Sequence, residues 1–178
     1  MKKTIRRAMR TKNLSIDKEL RENYANEIFM AIESDELFKN ATTIALYASL
    51  SDELPTDTII NRWSQTKRIL LPRIGEDCAM EFYQYYISDI ESGAYGILEP
   101  QGDYPIYIAD IDLIIVPGVA FTLDGKRLGR GKGYYDRYLS RADFRAHTIG
   151  VCYAHQILDD LPTEEHDVVL DMVATPSL

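Results

Sequence analysis

The chain has 178 residues, 46% hydrophobic and 27% charged, a composition that excludes collagen-like, low-complexity and wholly disordered classes. No apolar run approaches the roughly 20 residues of a membrane-spanning helix, and the basic N-terminus lacks the apolar stretch of a secretory signal. The two cysteines, Cys78 and Cys152, are distant and have no flanking ligand residues, which argues against a disulfide framework or a structural zinc site. One domain spanning residues 1–178, in the cytoplasm, is the expectation.

The net charge of −8 is unevenly spread. Lys2, Lys3, Arg6, Arg7, Arg10 and Lys12 precede the first acid, Asp17, leaving 14 of the 20 basic side chains against all 28 acidic ones. A second basic cluster is Lys126, Arg127, Arg130, Lys132 and Arg137. Two basic islands on an acidic body predict local anion sites, not a broad nucleic-acid face. The first island is equally readable as a solvated helix end.

Taken in chain order, a helix is predicted from about Lys2 to Arg10, stopping before Asn13. A second runs from about Ile16 to Ile32, where Leu20, Tyr24, Ile28 and Ile32 form one apolar stripe. Ser34 is positioned to cap a short helix through Phe38. Thr42–Ala48 has the β-rich, apolar character of a buried strand. Pro55 opens a helix with Ile59, Ile60 and Trp63 on one side. Arg68–Leu71 reads as the next buried strand, ended by Pro72, and Met80–Tyr86 as a strand with two unlike faces. Asp112–Val116 is the clearest buried strand. A helix over Gly133–Arg141 follows, then strands at His147–Cys152 and Val168–Ala174. Buried strands alternating with helices predict an α/β/α layered fold, Rossmann-like, with a central and mostly parallel sheet. Ligands collect beyond the carboxyl ends of such strands, so the loops after Ala48, Val116 and Cys152 are the expected site.

The stretch from Val116 to Asp136 leaves a buried strand and reaches a helix start. Within it Gly129, Gly131 and Gly133 alternate with Arg130 and Lys132. Glycines let backbone N–H groups approach a phosphate, and the two cations add charge and donors. It is not a Walker A loop, because Gly133 follows Lys132, and the glycine spacing is not the dinucleotide fingerprint. An ordinary glycine-rich turn with solvated charges is the competing reading.

The run Leu128-Gly-Arg-Gly-Lys-Gly-Tyr-Tyr-Asp136, preceded by Pro117-Gly118 and Phe121, resembles the signature of the 5-formyltetrahydrofolate cyclo-ligase family, also called 5,10-methenyltetrahydrofolate synthetases. Four further matches follow in order: Lys2 and Arg6, Asp52-Glu53, Gly96-Ile-Leu-Glu99-Pro100, and His166-Asp167 with Asp171. The resemblance implies an ATP- and Mg²⁺-dependent ligase acting on 5-formyltetrahydrofolate, with or without a polyglutamate tail. It implies ATP contacts from Lys2, Lys3, Arg6, Arg127, Leu128, Gly129, Arg130, Gly131, Lys132, Gly133, Tyr134 and Tyr135, with Arg130 and Lys132 catalytic. It further implies folate contacts from Ala48 and Glu53, and Mg²⁺ at Asp136 and Asp167. Ala48 stands where the family often has a bulkier apolar residue. No nucleic acid or membrane partner is expected, and the protein is expected to be a monomer.

Arg and Lys suit phosphate oxygens, and Mg²⁺ bridging those oxygens takes one or two carboxylates plus water. Lys2 and Arg6, four apart, share a helix face. With no acid nearby in sequence, their charges repel, so the segment is expected to be loose without nucleotide. Asp136 has the alternative of pairing with Arg137 or Arg141, and Asp52 and Glu53 of capping the helix near Pro55. Tyr134 and Tyr135 have the alternative of core packing. His147, His155 and His166 show no metal-ligand spacing and are not expected to act as catalytic bases. Cys152 is expected to be structural. The rival classes are a sugar-phosphate isomerase on a similar sheet and a non-enzymatic anion- or nucleic-acid-binding module.

Overall fold

Both faces of the central strands are apolar, and the chain wraps helices against each of them. In the computed structural model, which describes residues 1–75, 79–93 and 97–176, the chain begins with α1 (Lys2–Ser15), α2 (Lys18–Ser34), α3 (Glu36–Asn40), β1 (Thr43–Ala45) and α4 (Asp57–Trp63). Next come β2 (Arg68–Ile74), β3 (Met80–Gln84), β4 (Ile90–Ser92), β5 (Leu98–Pro100) and β6 (Leu113–Val116). The chain ends with β7 (Ala120–Phe121), β8 (Arg127–Leu128), α5 (Tyr134–Leu139), β9 (His147–Val151) and β10 (Met172–Ala174). Cys78 and Gly96 lie outside the described residues. Among the described residues, no helix is long and apolar enough to cross a membrane.

Six strands form one sheet in the order β10-β9-β6-β1-β2-β3. All neighbours are parallel except β2 and β3, so the expected mostly parallel sheet is present. Alternate residues of each strand serve opposite layers. Ile44, Ile69, Leu71, Ile115 and Ile149 pack with Phe29, Ile32, Phe38 and Trp63 of α2, α3 and α4. Ala45, Leu70, Ile114 and Val116 pack with Phe82, Phe121, and Tyr138 and Leu139 of α5. Burial on both sides is why these strands read as continuous apolar runs.

Several boundaries differ from the sequence expectation, each for a local reason. Helix α1 passes Asn13 and continues to Ser15, because the buried Asn13 amide donates to Asp52 O (2.9 Å) and so does not compete for its own backbone. The cap of α3 is Asp35, not Ser34: its carboxylate accepts from Leu37 N at 2.8 Å. Strand β2 runs through Pro72 to Ile74. Leu70 turns its carbonyl to Leu46 N (2.9 Å) on the β1 side, and Pro72 shares that side by period two. The β1–β2 ladder therefore stops before Pro72, which has no N–H for the next rung, while β2 runs on through its antiparallel pairing with β3. β10 begins only at Met172, and the short β4–β5 and β7–β8 pairs have too few residues to show a periodicity.

Asp112, just before β6, accepts from Thr42 N (2.8 Å), Thr42 Oγ1 (2.9 Å) and Thr43 N (2.8 Å), fastening β1 to β6. Desolvation opposes its ionisation, but these bonds and Lys67 outweigh it and hold the carboxyl below its ordinary range. A depressed folded-state pKa stabilises above the unfolded value near 3.9, and that contribution is lost as pH falls through the folded value. Asp112→Asn is therefore expected to lower the melting temperature at pH 7, with the gap to wild type closing in thermal scans below about pH 4. A gap independent of pH would contradict the assignment.

Candidate active site

Between β1 and β6 the sheet order reverses, since β1 leads on to β2 on one side and β6 to β9 on the other. The loops leaving these two strands diverge there, which opens a crevice at their carboxyl ends. A cleft of about 840 Å³ lies at this place, lined by Tyr47, Ala48, Leu50 and Glu53 after β1 and by Pro117 and Gly118 after β6. The loop after Cys152 does not line it. That loop works from behind: Gln156 Nε2 donates to the carbonyls of Gly118 (3.1 Å) and Val119 (2.8 Å).

Every candidate residue but one lines this cleft: Lys2, Arg6, Ala48, Glu53, the run from Arg127 to Tyr135, Asp136 and Asp167. The exception is Lys3, which is exposed and outside the lining. One residue along a helix is a turn of about 100°, so Lys3 cannot share the face of Lys2 and Arg6. His166 also lines the cleft, whereas His147 and His155 do not. Burial pushes the Cys152 thiol up to about 12, consistent with an inert core residue.

The N-terminal helix is anchored, which corrects the expectation of a loose segment. Lys2 Nζ lies 3.1 Å from both Asp167 Oδ2 and Glu164 Oε1, and Arg6 Nε donates to Gly129 O at 2.8 Å. Met9 packs with Ala120, Leu128 and Leu161. The acids missing from the local sequence are supplied by a segment 165 positions away. Desolvation works against the charge on Lys2, but Glu164 and Asp167 outweigh it and raise its pKa.

The glycine loop is gripped by the acidic pair. Arg130 Nη2 and Nη1 reach the two oxygens of Asp52 (2.7 and 3.2 Å), and its Nε donates to Glu53 Oε1 (2.8 Å). Burial opposes the cation, but both carboxylates hold its pKa up. Asp52 and Glu53 do not cap α4, whose N-cap is Thr56. Their backbone is fixed by side chains from elsewhere. Asn13 Nδ2 donates to Asp52 O (2.9 Å), Arg21 Nη2 to Glu53 O (2.8 Å) and Tyr47 Oη to Leu54 O (2.9 Å). Sequence reasoning missed Asn13, Arg21 and Glu164, because no motif marks a residue whose partner is distant in the chain.

Asp136 pairs with Arg127 Nη2 at 2.9 Å, and neither Arg137 nor Arg141 takes that place. The left-handed Gly133 (φ 68°) opens α5, which carries Asp136 in its first turn. Tyr134 and Tyr135 serve both readings, since they line the cleft and pack against the core. Among the described residues, Lys132 is the cleft cation whose ammonium has no partner at all.

The donor chemistry fits Mg²⁺. Asp136 takes its hydrogen bonds, from Arg127 and Val168 N, on Oδ1. Asp167 takes its own, from Lys2 and Glu164 N, on Oδ2. Each keeps one carboxylate oxygen outside those bonds. Among the described residues no cluster of three or more His, Cys, Asp or Glu side chains is placed to hold a metal. Two hard oxygen donors without a closed cage suit an ion that completes its shell with water and phosphate.

The 5-formyltetrahydrofolate cyclo-ligase family model matches residues 1–176. The 5-formyltetrahydrofolate cyclo-ligase of Mus musculus is 30% identical over 92% of this chain and 87% of its own length. The Escherichia coli (strain K12) 5-formyltetrahydrofolate cyclo-ligase is 34% identical over 77% and 79%. Among solved structures, the Aquifex aeolicus 5,10-methenyltetrahydrofolate synthetase superposes with a TM-score of 0.88 at 31% identity, covering 98% of this chain and 89% of that one. The Mycoplasma pneumoniae 5,10-methenyltetrahydrofolate synthetase gives 0.76 at 25%, covering 97% and 96%. With a family match over residues 1–176, relatives at 30% identity or above and the same fold in a solved structure, the chain belongs to the 5-formyltetrahydrofolate cyclo-ligase family of enzymes.

Proposed function

We propose that this protein acts as a cytoplasmic monomer that converts 5-formyltetrahydrofolate to 5,10-methenyltetrahydrofolate, consuming ATP in the presence of Mg²⁺ and releasing ADP and phosphate. The observation that carries the reading is the meeting, in one cleft, of the N-terminal cations, the glycine loop and the carboxylates of Asp136 and Asp167 from the C-terminal part of the chain. Amide-like formyl oxygen is a poor leaving group, so ring closure needs that oxygen phosphorylated. The formyl oxygen attacks the γ-phosphorus, ADP departs, and an N5-iminium phosphate results. N10 then attacks the formyl carbon and loses its proton, and inorganic phosphate leaves with the former formyl oxygen.

In this reaction the protein's work is alignment and charge neutralisation. Lys132 and Arg6, neither held by a described carboxylate, are available to the phosphate oxygens. Arg130, gripped by Asp52 and Glu53, ties the nucleotide loop to the loop that carries Glu53 against the folate. Mg²⁺ held by Asp136 and Asp167 supplies neutralisation of the phosphate charge. The test is direct: mix the protein with 5-formyltetrahydrofolate and Mg·ATP, and follow the methenyl chromophore in the near ultraviolet. Product should accumulate one-for-one with ADP and only when ATP is present. Absorbance that does not change, or changes equally without ATP, would refute the reading.

A further inference from the structure

Glu99 lies on β5 with its side chain folded against Gly93, where any Cβ would collide with the Glu99 carboxyl carbon. It lines the cleft yet is only 9% exposed. Its carboxylate has no hydrogen bond or ion pair among the described residues. Its backbone is taken up by the β4–β5 pairing with Glu91 and by Gln101 Nε2, which donates to its carbonyl at 3.1 Å. The same cleft is lined by six cationic side chains, and none of them pairs with Glu99; Lys2, Arg127 and Arg130 are committed to other carboxylates. The residue opposite it across the β4–β5 pair is Glu91, a like charge.

The residue is largely buried on the cleft wall while its carboxylate meets no donor among the described residues, so the arrangement suits a ligand that brings its own donors. The strand is firmly held, since Arg73 Nη1 donates to Pro100 O (3.0 Å) and Gly102 O (3.1 Å) and so fastens the end of β5 to β2. Pro72, Ile74, Met80 and Ile97 give the same cleft an apolar lining, which suits the face of a flat ring.

Building on the cyclo-ligase reading above, we infer that Glu99 reads the pterin ring of the folate substrate. Its two oxygens accept from two neighbouring donors, the ring N3–H and the exocyclic 2-amino group, while the ring lies along the apolar lining. The pairing is a charge-assisted, two-pronged one of the kind that carboxylates form with guanidinium. It also discriminates between the two substrates of the reaction. Adenine sets one amino donor beside a ring nitrogen lone pair, so a carboxylate facing that edge meets one donor and one acceptor. Glu99 thereby selects the pterin for its part of the cleft and leaves the nucleotide to the glycine loop.

The experiment titrates 5-formyltetrahydrofolate and its 2-desamino analogue calorimetrically into wild type and Glu99→Gln, with steady-state kinetics and thermal melts alongside. The amide keeps one acceptor and turns a donor toward the other N–H. Affinity for 5-formyltetrahydrofolate should fall at least about tenfold, with the KM for ATP unchanged and the melting temperature no lower than wild type. The desamino analogue should bind both proteins alike. Equal affinity of wild type and variant for the natural substrate would overturn the inference. So would an equal penalty for both ligands, or a lowered melting temperature with both KM values shifting together. Binding and turnover separate the two readings. A wild type that binds folate through Glu99 but forms no methenyl product supports this inference and removes the ligase reading. Unimpaired folate binding and turnover by Glu99→Gln removes only this inference.

Discussion

Lys132→Ala is expected to lower kcat/KM for ATP by about 100-fold while leaving the melting temperature within about 1 °C of wild type. Lys132 is exposed and its ammonium has no partner among the described residues, so removing it breaks no native contact and its loss registers only when phosphate is present. Preorganised cations matter most where charge moves between atoms, and phosphoryl transfer is such a step. The contrast with Arg130 is instructive. Arg130→Ala would leave Glu53 without its cation and Asp52 with only the more distant Arg10 (3.8 Å), both carboxylates being largely buried, so stability and activity would fall together. Steady-state kinetics and a thermal melt on the two variants check this. An unchanged kcat/KM for ATP in Lys132→Ala would remove that residue from the nucleotide site.

Asp136→Asn is expected to be damaging twice over. The Arg127 side chain is only 4% exposed and its partner Asp136 only 14%, so the amide leaves a buried guanidinium without its counter-charge. Breaking such a pair from one side costs about 3–5 kcal/mol, and the retained acceptor oxygen places this variant near the lower end, about 3 kcal/mol. For a chain of this size that corresponds to a melting-temperature loss of roughly 6–12 °C. The same substitution weakens a hard-cation ligand, so the Mg²⁺ concentration for half-maximal turnover should rise as well. Calorimetric melts and a magnesium titration at a temperature where the variant is folded separate the two effects. A normal melt with a normal titration would show that Asp136 serves neither Arg127 nor the metal.

Much of this was legible in the linear chain, where the relevant spacing is short. Both-face burial makes Leu113–Val116 a continuous apolar run, and the alternation of Gly129, Gly131 and Gly133 with two cations marks a candidate anion-binding turn within five residues. Lys2 and Arg6 share a helix face by a four-residue step. The five ordered family resemblances, from Lys2 to Asp167, rest on the same local patterns. Such features are local because helix and strand periodicities, and the conformational freedom of glycine, act over one to four residues.

What only the tertiary structure decided is which charge meets which. By sequence the N-terminal island has no acid, and an unpaired, repelling segment follows; in the fold, Glu164 and Asp167 close on Lys2. Arg127, Arg130 and Lys132 look alike in the loop. Yet the first is buried on Asp136, the second is clamped by Asp52 and Glu53, and the third has an ammonium without a partner among the described residues. Glu99 is one letter in a short motif until the fold sets its carboxylate on the cleft wall with no donor to it among the described residues. Ion pairing and desolvation depend on distances between atoms that the sheet brings together from segments tens to more than a hundred residues apart. Coulombic and hydration energies vary steeply over those few ångströms, and no short-range pattern along the chain encodes them.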